Sequence, residues 1–189
     1  MISLGIEKYF LFGHSMGGYV GLSILKKQEG NLLGFGLIHS HPFADGEDQK
    51  VNRNKAISFI EKFGSSLYIK QVIPNLFPKS FSTSNRFLLE RLVFEANKYP
   101  ALGITNALSA MRDRLDQSDV LKNMSIPFLS VIGENDELLP TDKLLKQASM
   151  AKVTKLQFLK RVGHMGPFES PRIINRAIRN FIDAFHTAI

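Results

Sequence analysis

Short apolar runs, each closed by a turn, alternate along this chain with stretches in which apolar residues recur at helical spacing. The runs predict four strands, Tyr9–Phe12, Leu32–Ile38, Phe128–Ile132 and Lys155–Leu159. Leu32–Ile38 is nearly all apolar, which is typical of a parallel strand that is buried on both faces. The alternation predicts an α/β fold with a mostly parallel sheet and flanking helices.

Three helices are predicted beside these strands: Met16–Gln28, a helix capped by Thr141 that ends near Ala151, and Glu169–His186. The side of the first helix that faces the sheet should carry Tyr19, Val20, Ile24 and Leu25. The matching side of the last helix should carry Ile173, Ile174, Ala177, Ile178, Phe181 and Ile182.

The segment 44–115 differs from the rest because it has several amphipathic helical patterns and no convincing strand. We expect residues 1–43 and 116–189 to form the core of the fold, with 44–115 as a helical lid or cap insertion. The apolar faces of this insertion could line a pocket for an acyl or aromatic group. Most of the phenylalanines in this part of the chain are expected to hold the insertion together: Phe43, Phe59, Phe63, Phe77, Phe81, Phe87 and Phe94.

With 189 residues, 44% of them hydrophobic and 22% charged, the chain has the composition of a globular protein with a sizeable core. It has no cysteine, which excludes disulfides and thiol catalysis and suits a cytoplasmic location. The N-terminus lacks a signal-peptide pattern, and no apolar run approaches the roughly 18 residues of a membrane span. We therefore expect no membrane partner.

The formal net charge of +7 raises the question of a nucleic-acid partner. The lysines are scattered, however, and no nucleic-acid-binding motif is present. Arg172, Arg176 and Arg179 lie at helical spacing, which is typical of a solvated helix face. We therefore expect no nucleic acid among the partners.

The strongest candidate for chemistry is Gly13-His14-Ser15-Met16-Gly17, a G-x-S-x-G sequence between a predicted strand and a predicted helix. In that context it forms a nucleophile elbow, a sharp turn that strains the backbone at Ser15 and favours glycine at positions 13 and 17. The turn presents the serine hydroxyl at a helix N-terminus, where the Met16 N–H could stabilise an oxyanion. The alternative is a glycine-rich turn whose serine is incidental.

Two later turns carry an acid and a histidine. The third predicted strand is followed by Gly133–Pro140, which contains Asp136, and the fourth leads to Gly163-His164. If the strands are parallel, both turns lie at the same sheet edge as Ser15, where ligands bind in open α/β sheets.

As a set, Ser15 in its elbow, Asp136 between Gly133 and Pro140, and His164 after a glycine resemble the α/β-hydrolase superfamily, which has this order of residues. The resemblance covers nearly the whole chain and implies a serine hydrolase. Ser15 would be the nucleophile, His164 the general base, and Asp136 the acid that orients the imidazole. The reaction implied is hydrolysis of an ester, thioester or amide, or a related C–C cleavage, on a small-molecule acyl-type substrate. The resemblance implies neither a metal nor an organic cofactor.

Other residues compete for these roles. Glu134 and Glu137 flank Asp136, and Asp45 follows the second strand, where some members of the family carry their acid. Only Asp136 has the family's spacing from its neighbouring glycine and proline.

Four other histidines have simpler interpretations. His14 is expected to pack or hydrogen-bond locally, and His186 to be solvated. His39 and His41 either line the pocket mouth or are satisfied loop histidines. No histidine pair has helical metal-ligand spacing, so we expect no metal site.

The family places several strands and two helices, roughly 75 residues at typical element lengths, before the nucleophile strand. Here that strand begins at Tyr9, so we expect the N-terminal strands, and the loop that gives a second oxyanion N–H, to be absent. The strand Tyr9–Phe12 would then have a free edge through which copies could self-associate. The alternative to an active enzyme is a truncated, catalytically impaired remnant or a ligand-binding module that keeps the fold.

Overall fold

The structure is a computed structural model and describes residues 5–186. The chain divides into two compact units. Residues up to Pro42, together with those from Gln117 onward, form the sheet unit, and Phe43–Asp116 form the helical unit. The Gln117 N–H donates to the Pro42 carbonyl at 2.8 Å, so the chain leaves and re-enters the sheet unit at adjacent points.

Four parallel strands form one sheet in chain order: β1 (Tyr9–His14), β2 (Leu32–Ile38), β3 (Phe128–Gly133) and β4 (Thr154–Leu159). All four predicted strands are confirmed. β1 runs two residues beyond its apolar run because positions 13 and 14 continue the pairing with β2. Within residues 5–186, β1 pairs with β2 alone and forms one edge of the sheet.

The α-helices of the described chain are α1 (Met16–Gln28), α2 (Glu47–Phe63), α3 (Ser65–Val72), α4 (Lys79–Ser84), α5 (Arg86–Ala96), α6 (Ala101–Asp113), α7 (Ser118–Asn123), α8 (Thr141–Ala148), α9 (Gly166–Glu169) and α10 (Pro171–His186). Pro140, and not Thr141, is the N-cap of α8. The single closing helix expected from Glu169 is divided, because the chain leaves helical geometry at Ser170 before Pro171 begins α10. Proline is favoured at such a first helical position, where its missing N–H costs no hydrogen bond.

Apolar side chains alternate between the two faces of the sheet and pack against helices on both. One cluster joins α1 and α7 to the sheet through Leu22, Leu25, Leu32, Phe35, Leu37, Leu121, Met124 and Phe128. A second cluster joins α10 to the opposite face through Ile38, Leu129, Val131, Leu159, Val162, Ile174 and Phe181.

The buried face of α1 differs from the expected one. Val20 is 54% exposed, whereas Leu22 is buried together with Gly18, Gly21 and Leu25. Glycines occupy two positions of this face because added side chains would collide with atoms of Ser40 and Phe35. An apolar pattern does not detect a helix face whose contacts are made partly by glycine.

The buried face of α10 is narrower than expected. Ile174, Ala177 and Phe181 are buried, but Ile173 is 37% exposed. The buried positions fall on one line at intervals of three and four residues, and Ile173 lies beside that line.

The helical unit has its own small core, which is mostly aliphatic: Ile60, Ile69, Ile73, Phe77, Leu89 and Leu108. Of the seven phenylalanines in this part of the chain, Phe77 belongs to the core, whereas Phe63, Phe87 and Phe94 are 52%, 81% and 64% exposed. Among residues 5–186, no helix combines the length and apolar character needed to cross a membrane.

Candidate active site

The ends of the four parallel strands bring the predicted site residues to one edge of the sheet unit. Ser15 follows β1, His39 follows β2, Asp136 follows β3 and His164 follows β4. This common edge follows from the parallel topology, since the carboxyl ends of all the strands then lie together.

Ser15 has φ 50° and ψ −121°, a backbone conformation that residues other than glycine rarely adopt. Hydrogen bonds hold it there: its N–H donates to Ile38 O at 3.0 Å, and its carbonyl accepts from the Gly18 N–H at 2.9 Å and the Ser40 hydroxyl at 2.8 Å. The backbone strain at this position is therefore stabilised by contacts to α1 and to the end of β2.

Glycine is required at position 13, because a Cβ there would collide with the Gly17 carbonyl. At Gly17 itself a Cβ would meet no described atom within 4 Å, so the expected steric demand is absent. It occurs at Gly18 instead, where a Cβ would collide with the Ser40 side chain. The close approach of helix and strand, and not the turn alone, decides which glycines are needed.

His164 lies between Ser15 and Asp136. Its Nε2 is 2.8 Å from Ser15 Oγ, and its Nδ1 is 2.9 Å from Asp136 Oδ2. A carboxylate only accepts hydrogen bonds, so Nδ1 carries the proton and Nε2 offers its lone pair to the serine hydroxyl. This arrangement allows the imidazole to take the hydroxyl proton.

Asp136 is buried, and both of its carboxylate oxygens accept hydrogen bonds. Its Oδ1 accepts the N–H groups of Leu138 at 3.1 Å and Leu139 at 3.2 Å, and its Oδ2 faces His164. Burial alone would raise the pKa of this carboxyl, but the hydrogen bond from His164 and the His39 ring that faces the same oxygen outweigh that effect and lower the pKa to about 2. Asp136 is thus ionised at neutral pH.

The competing acids lie in other contacts. The Glu134 carboxylate accepts the Arg161 N–H at 2.8 Å, and Glu137 is exposed. Asp45 is buried in the helical unit, where it pairs with Arg114 at 2.6 Å and Arg53 at 3.2 Å. Its carboxylate therefore serves an ion-pair cluster in that unit.

His14 contacts a residue that is distant from it in the sequence. Its Nε2 lies 2.9 Å from the main-chain oxygen of His164, 150 residues away. Burial lowers the pKa of His14 to about 4, although the bond to this carbonyl partly opposes the shift. His14 is therefore neutral at pH 7, and its Nε2–H donates to the carbonyl.

Glu169 also contributes to the site, although the sequence patterns did not predict it. Its two carboxylate oxygens accept the N–H groups of Gly163 at 2.7 Å and Met165 at 3.0 Å, on either side of His164. Burial raises the pKa of this carboxyl, and the two hydrogen bonds oppose that effect. Its place at the start of a predicted helix was an available signal, since acidic residues there accept N–H groups.

The remaining histidines separate into two groups. His39 and His41 are both buried, and the ring centroid of His41 lies 5.6 Å from that of Tyr19. His186 is exposed, as expected. Among residues 5–186, no cluster of three or more histidine, aspartate or glutamate side chains could hold a metal ion.

Met16 is the first residue of α1, so its N–H has no acceptor within that helix. It lies next to Ser15, at the positive end of the helix dipole. A negatively charged oxygen bound to the serine would be stabilised at this position.

A family model described as "Serine aminopeptidase, S33" matches residues 4–171. Over 185 residues the chain is 24% identical to a protein of Agrobacterium fabrum named "Putative carbamate hydrolase RutD", covering 95% of this chain and 69% of that protein. It is similar to the structure of a thermophilic esterase from Thermogutta terrifontis, with TM-score 0.90, 26% identity and coverage of 98% and 68% of the two chains. The enol-lactonase from Burkholderia xenovorans LB400 shares the fold, with TM-score 0.87, 16% identity and coverage of 97% and 68%.

Proposed function

This chain belongs to the S33 serine aminopeptidase family of α/β hydrolases, and on that premise we propose that it hydrolyses a carboxylic ester or a related acyl compound, with Ser15 as nucleophile. The observation that carries the proposal is the continuous hydrogen-bonded path from Ser15 Oγ through His164 to Asp136, with distances of 2.8 and 2.9 Å. A serine hydroxyl paired with an imidazole that a buried carboxylate orients is the arrangement that nucleophilic acyl transfer requires.

In the first half of the proposed reaction, the Ser15 oxygen attacks the substrate carbonyl carbon while His164 Nε2 accepts the hydroxyl proton. The carbonyl oxygen becomes an oxyanion. His164 then gives the same proton to the leaving oxygen as its bond to carbon breaks, and an acyl ester remains on Ser15. Asp136 stabilises the imidazolium and stays ionised, which its pKa of about 2 supports.

In the second half, water releases the acyl group. His164 Nε2 accepts a proton from the water molecule as its oxygen attacks the acyl carbon. The imidazolium returns that proton to Ser15 Oγ when the ester bond breaks, so a carboxylic acid leaves and the serine is restored. The Met16 N–H is the proposed oxyanion donor in both halves, because it lies next to Ser15 and has no acceptor within α1. A donor of this kind stabilises the transition state by about 3–4 kcal/mol.

The names of the relatives favour esters as the first substrates to test. They include an esterase, a lactonase and a protein named for carbamate hydrolysis, and all three substrate classes present an acyl carbon bonded to an electronegative leaving atom. The family description adds the amide bond of an aminopeptidase substrate.

The proposal is tested by the reaction of the chain with a fluorophosphonate probe, which forms a covalent bond with an activated serine. Ser15→Ala should abolish labelling. Ser23→Ala, which removes an exposed hydroxyl on the same helix, is the matched control and should label like the wild type. Hydrolysis of p-nitrophenyl acetate, butyrate and octanoate, a γ-lactone and an aminoacyl p-nitroanilide then ranks the bond types.

Two results would contradict the proposal. A folded wild-type chain that shows no labelling above Ser15→Ala would point to the ligand-binding alternative. Labelling that persists in Ser15→Ala would place the reactive group elsewhere.

A further inference from the structure

His39 is a buried imidazole for which the proposed reaction has no use. It follows β2, has no exposed surface, and has φ 45°, a conformation uncommon for a residue of its size. Its Nδ1 lies 3.4 Å from Asp136 Oδ2, the same oxygen that accepts from His164. Two imidazoles therefore face one carboxylate oxygen.

The position of the His39 ring is closely determined by its surroundings. A Cβ at Gly166 would collide with its Nε2, and a Cβ at Gly133 would lie 2.8 Å from its Cε1, so two glycines make room for the ring. Its ring is edge-on to those of His14 and His164, with centroids 5.9 and 6.2 Å away and interplanar angles of 74° and 71°. A merely space-filling residue at this position would not need to be polar.

The surroundings of His39 indicate which of its two ring nitrogens carries the proton. Neither ring nitrogen has a partner with full hydrogen-bond geometry among the described residues, yet a neutral imidazole always carries one N–H. A buried N–H without an acceptor costs about 1–3 kcal/mol, so the proton is favoured on the nitrogen that faces an acceptor. The ionised Asp136 oxygen is the acceptor that faces Nδ1, so the Nδ1–H tautomer is favoured.

We infer that His39 is a positioning residue, whose Nδ1–H holds the Asp136 carboxylate in the orientation in which Oδ2 accepts the Nδ1–H of His164. Oδ1 is fixed by the N–H groups of Leu138 and Leu139, and Oδ2 is fixed between the two rings. With His39 in place, the carboxylate can neither rotate away from His164 nor admit water beside Oδ2. This role rests on the proposed function, in which Asp136 orients His164.

A pair of substitutions separates this role from simple packing. His39→Asn keeps an N–H the same number of bonds from the backbone as Nδ1, and asparagine tolerates a positive φ. His39→Leu has nearly the same shape as the asparagine variant but no donor. We expect His39→Leu to lower the second-order rate constant of fluorophosphonate labelling by about 10- to 100-fold, and His39→Asn by about threefold or less, as expected for loss of one hydrogen bond to a charged group.

The same substitutions in an Asp136→Asn background test whether His39 acts through Asp136. If it does, His39→Leu should cost less than about threefold there, because the carboxylate that it positions is already gone. An equal loss in both backgrounds would show a general packing effect and would overturn the inference.

Nitrogen-15 NMR of the imidazoles gives a reading that does not depend on Ser15 reactivity. We expect His39 to be protonated at Nδ1, whereas protonation at Nε2 alone would overturn the inference. If the wild type labels and His39→Leu labels equally well, the positioning role fails while the proposed function stands. If the wild type does not label at all, the proposed function fails and the role of His39 in it fails as well.

Discussion

The Nε2 of His14 lies 2.9 Å from the main-chain oxygen of His164, so the turn that carries Ser15 is bonded directly to the loop that carries the imidazole facing it. Ser15 and His14 are adjacent in the chain, and both contact His164, one through its ring and one through its backbone. The 2.8 Å approach of Ser15 Oγ to His164 Nε2 is therefore accompanied by a second contact between the same two segments, one residue away.

His14→Leu should slow fluorophosphonate labelling about fivefold, because the loss of one net hydrogen bond of about 1 kcal/mol loosens the His164 loop. His14→Gln can still reach the carbonyl with its amide N–H and should retain most of the rate. The measurement is the second-order rate constant of labelling at pH 7. His186→Leu, which changes an exposed histidine, should have no effect. Equal rates for the leucine and glutamine variants would contradict the role of the hydrogen bond.

His14 should also make stability depend on pH. Burial lowers its pKa from 6.5 to about 4, so between these pH values the unfolded chain binds a proton that the folded chain does not. Its contribution is therefore present above pH 6.5 and is lost as the pH falls towards 4, by about 3 kcal/mol in free energy of unfolding. Urea unfolding across this range should show a shallower pH dependence for His14→Gln than for the wild type, and parallel curves would refute the expectation.

Asp136→Asn should reduce labelling by about 10³- to 10⁴-fold while the chain stays folded, because an amide can present a donor to Nδ1 and favour the wrong imidazole tautomer. Glu134→Gln and Glu137→Gln are matched controls in the same turn and should label within about threefold of the wild type, since neither carboxylate contacts His164 in the described structure. A larger loss in either control than in Asp136→Asn would reassign the acid.

Glu169→Gln should destabilise the loop around His164. Its carboxylate accepts two N–H groups, whereas glutamine has one accepting oxygen and would direct its NH₂ group at the other donor. We expect a loss of about 1–3 kcal/mol in the free energy of unfolding, together with slower labelling. Thermal or urea unfolding measures the first effect. An unchanged midpoint would mean that the loop finds another acceptor.

Gly13→Ala should lower the free energy of unfolding by about 1–3 kcal/mol, because the new Cβ collides with the Gly17 carbonyl in the first turn of α1. The same displacement of the turn should slow labelling of Ser15. Gly30→Ala is the control, since a Cβ there would meet no described atom within 4 Å. Differential scanning calorimetry of the two variants should therefore give clearly different midpoints. A Gly13→Ala midpoint equal to that of Gly30→Ala would show that the turn can relax.

Hydrophobic periodicity was sufficient to predict the four strands and the helical character of segment 44–115. Strands of a parallel sheet that are buried on both faces have continuous apolar runs, so their pattern is local and visible in one sequence. The G-x-S-x-G turn likewise reports a local backbone requirement, which the φ of 50° at Ser15 confirms. Parallel pairing then brings the turns after β1, β3 and β4 to one edge without further information.

The sequence by itself thus determined which segments become strands and which turns follow them, because both patterns are local in the chain. Only the tertiary structure decided that Leu22 and not Val20 is buried, that His39 faces Asp136, and that Glu169 secures the His164 loop. Each of these depends on contacts between segments that are remote in the chain or on a turn whose path is set by packing. Such contacts leave no periodic trace in a single sequence, since any residue of suitable size and polarity satisfies the local pattern equally well.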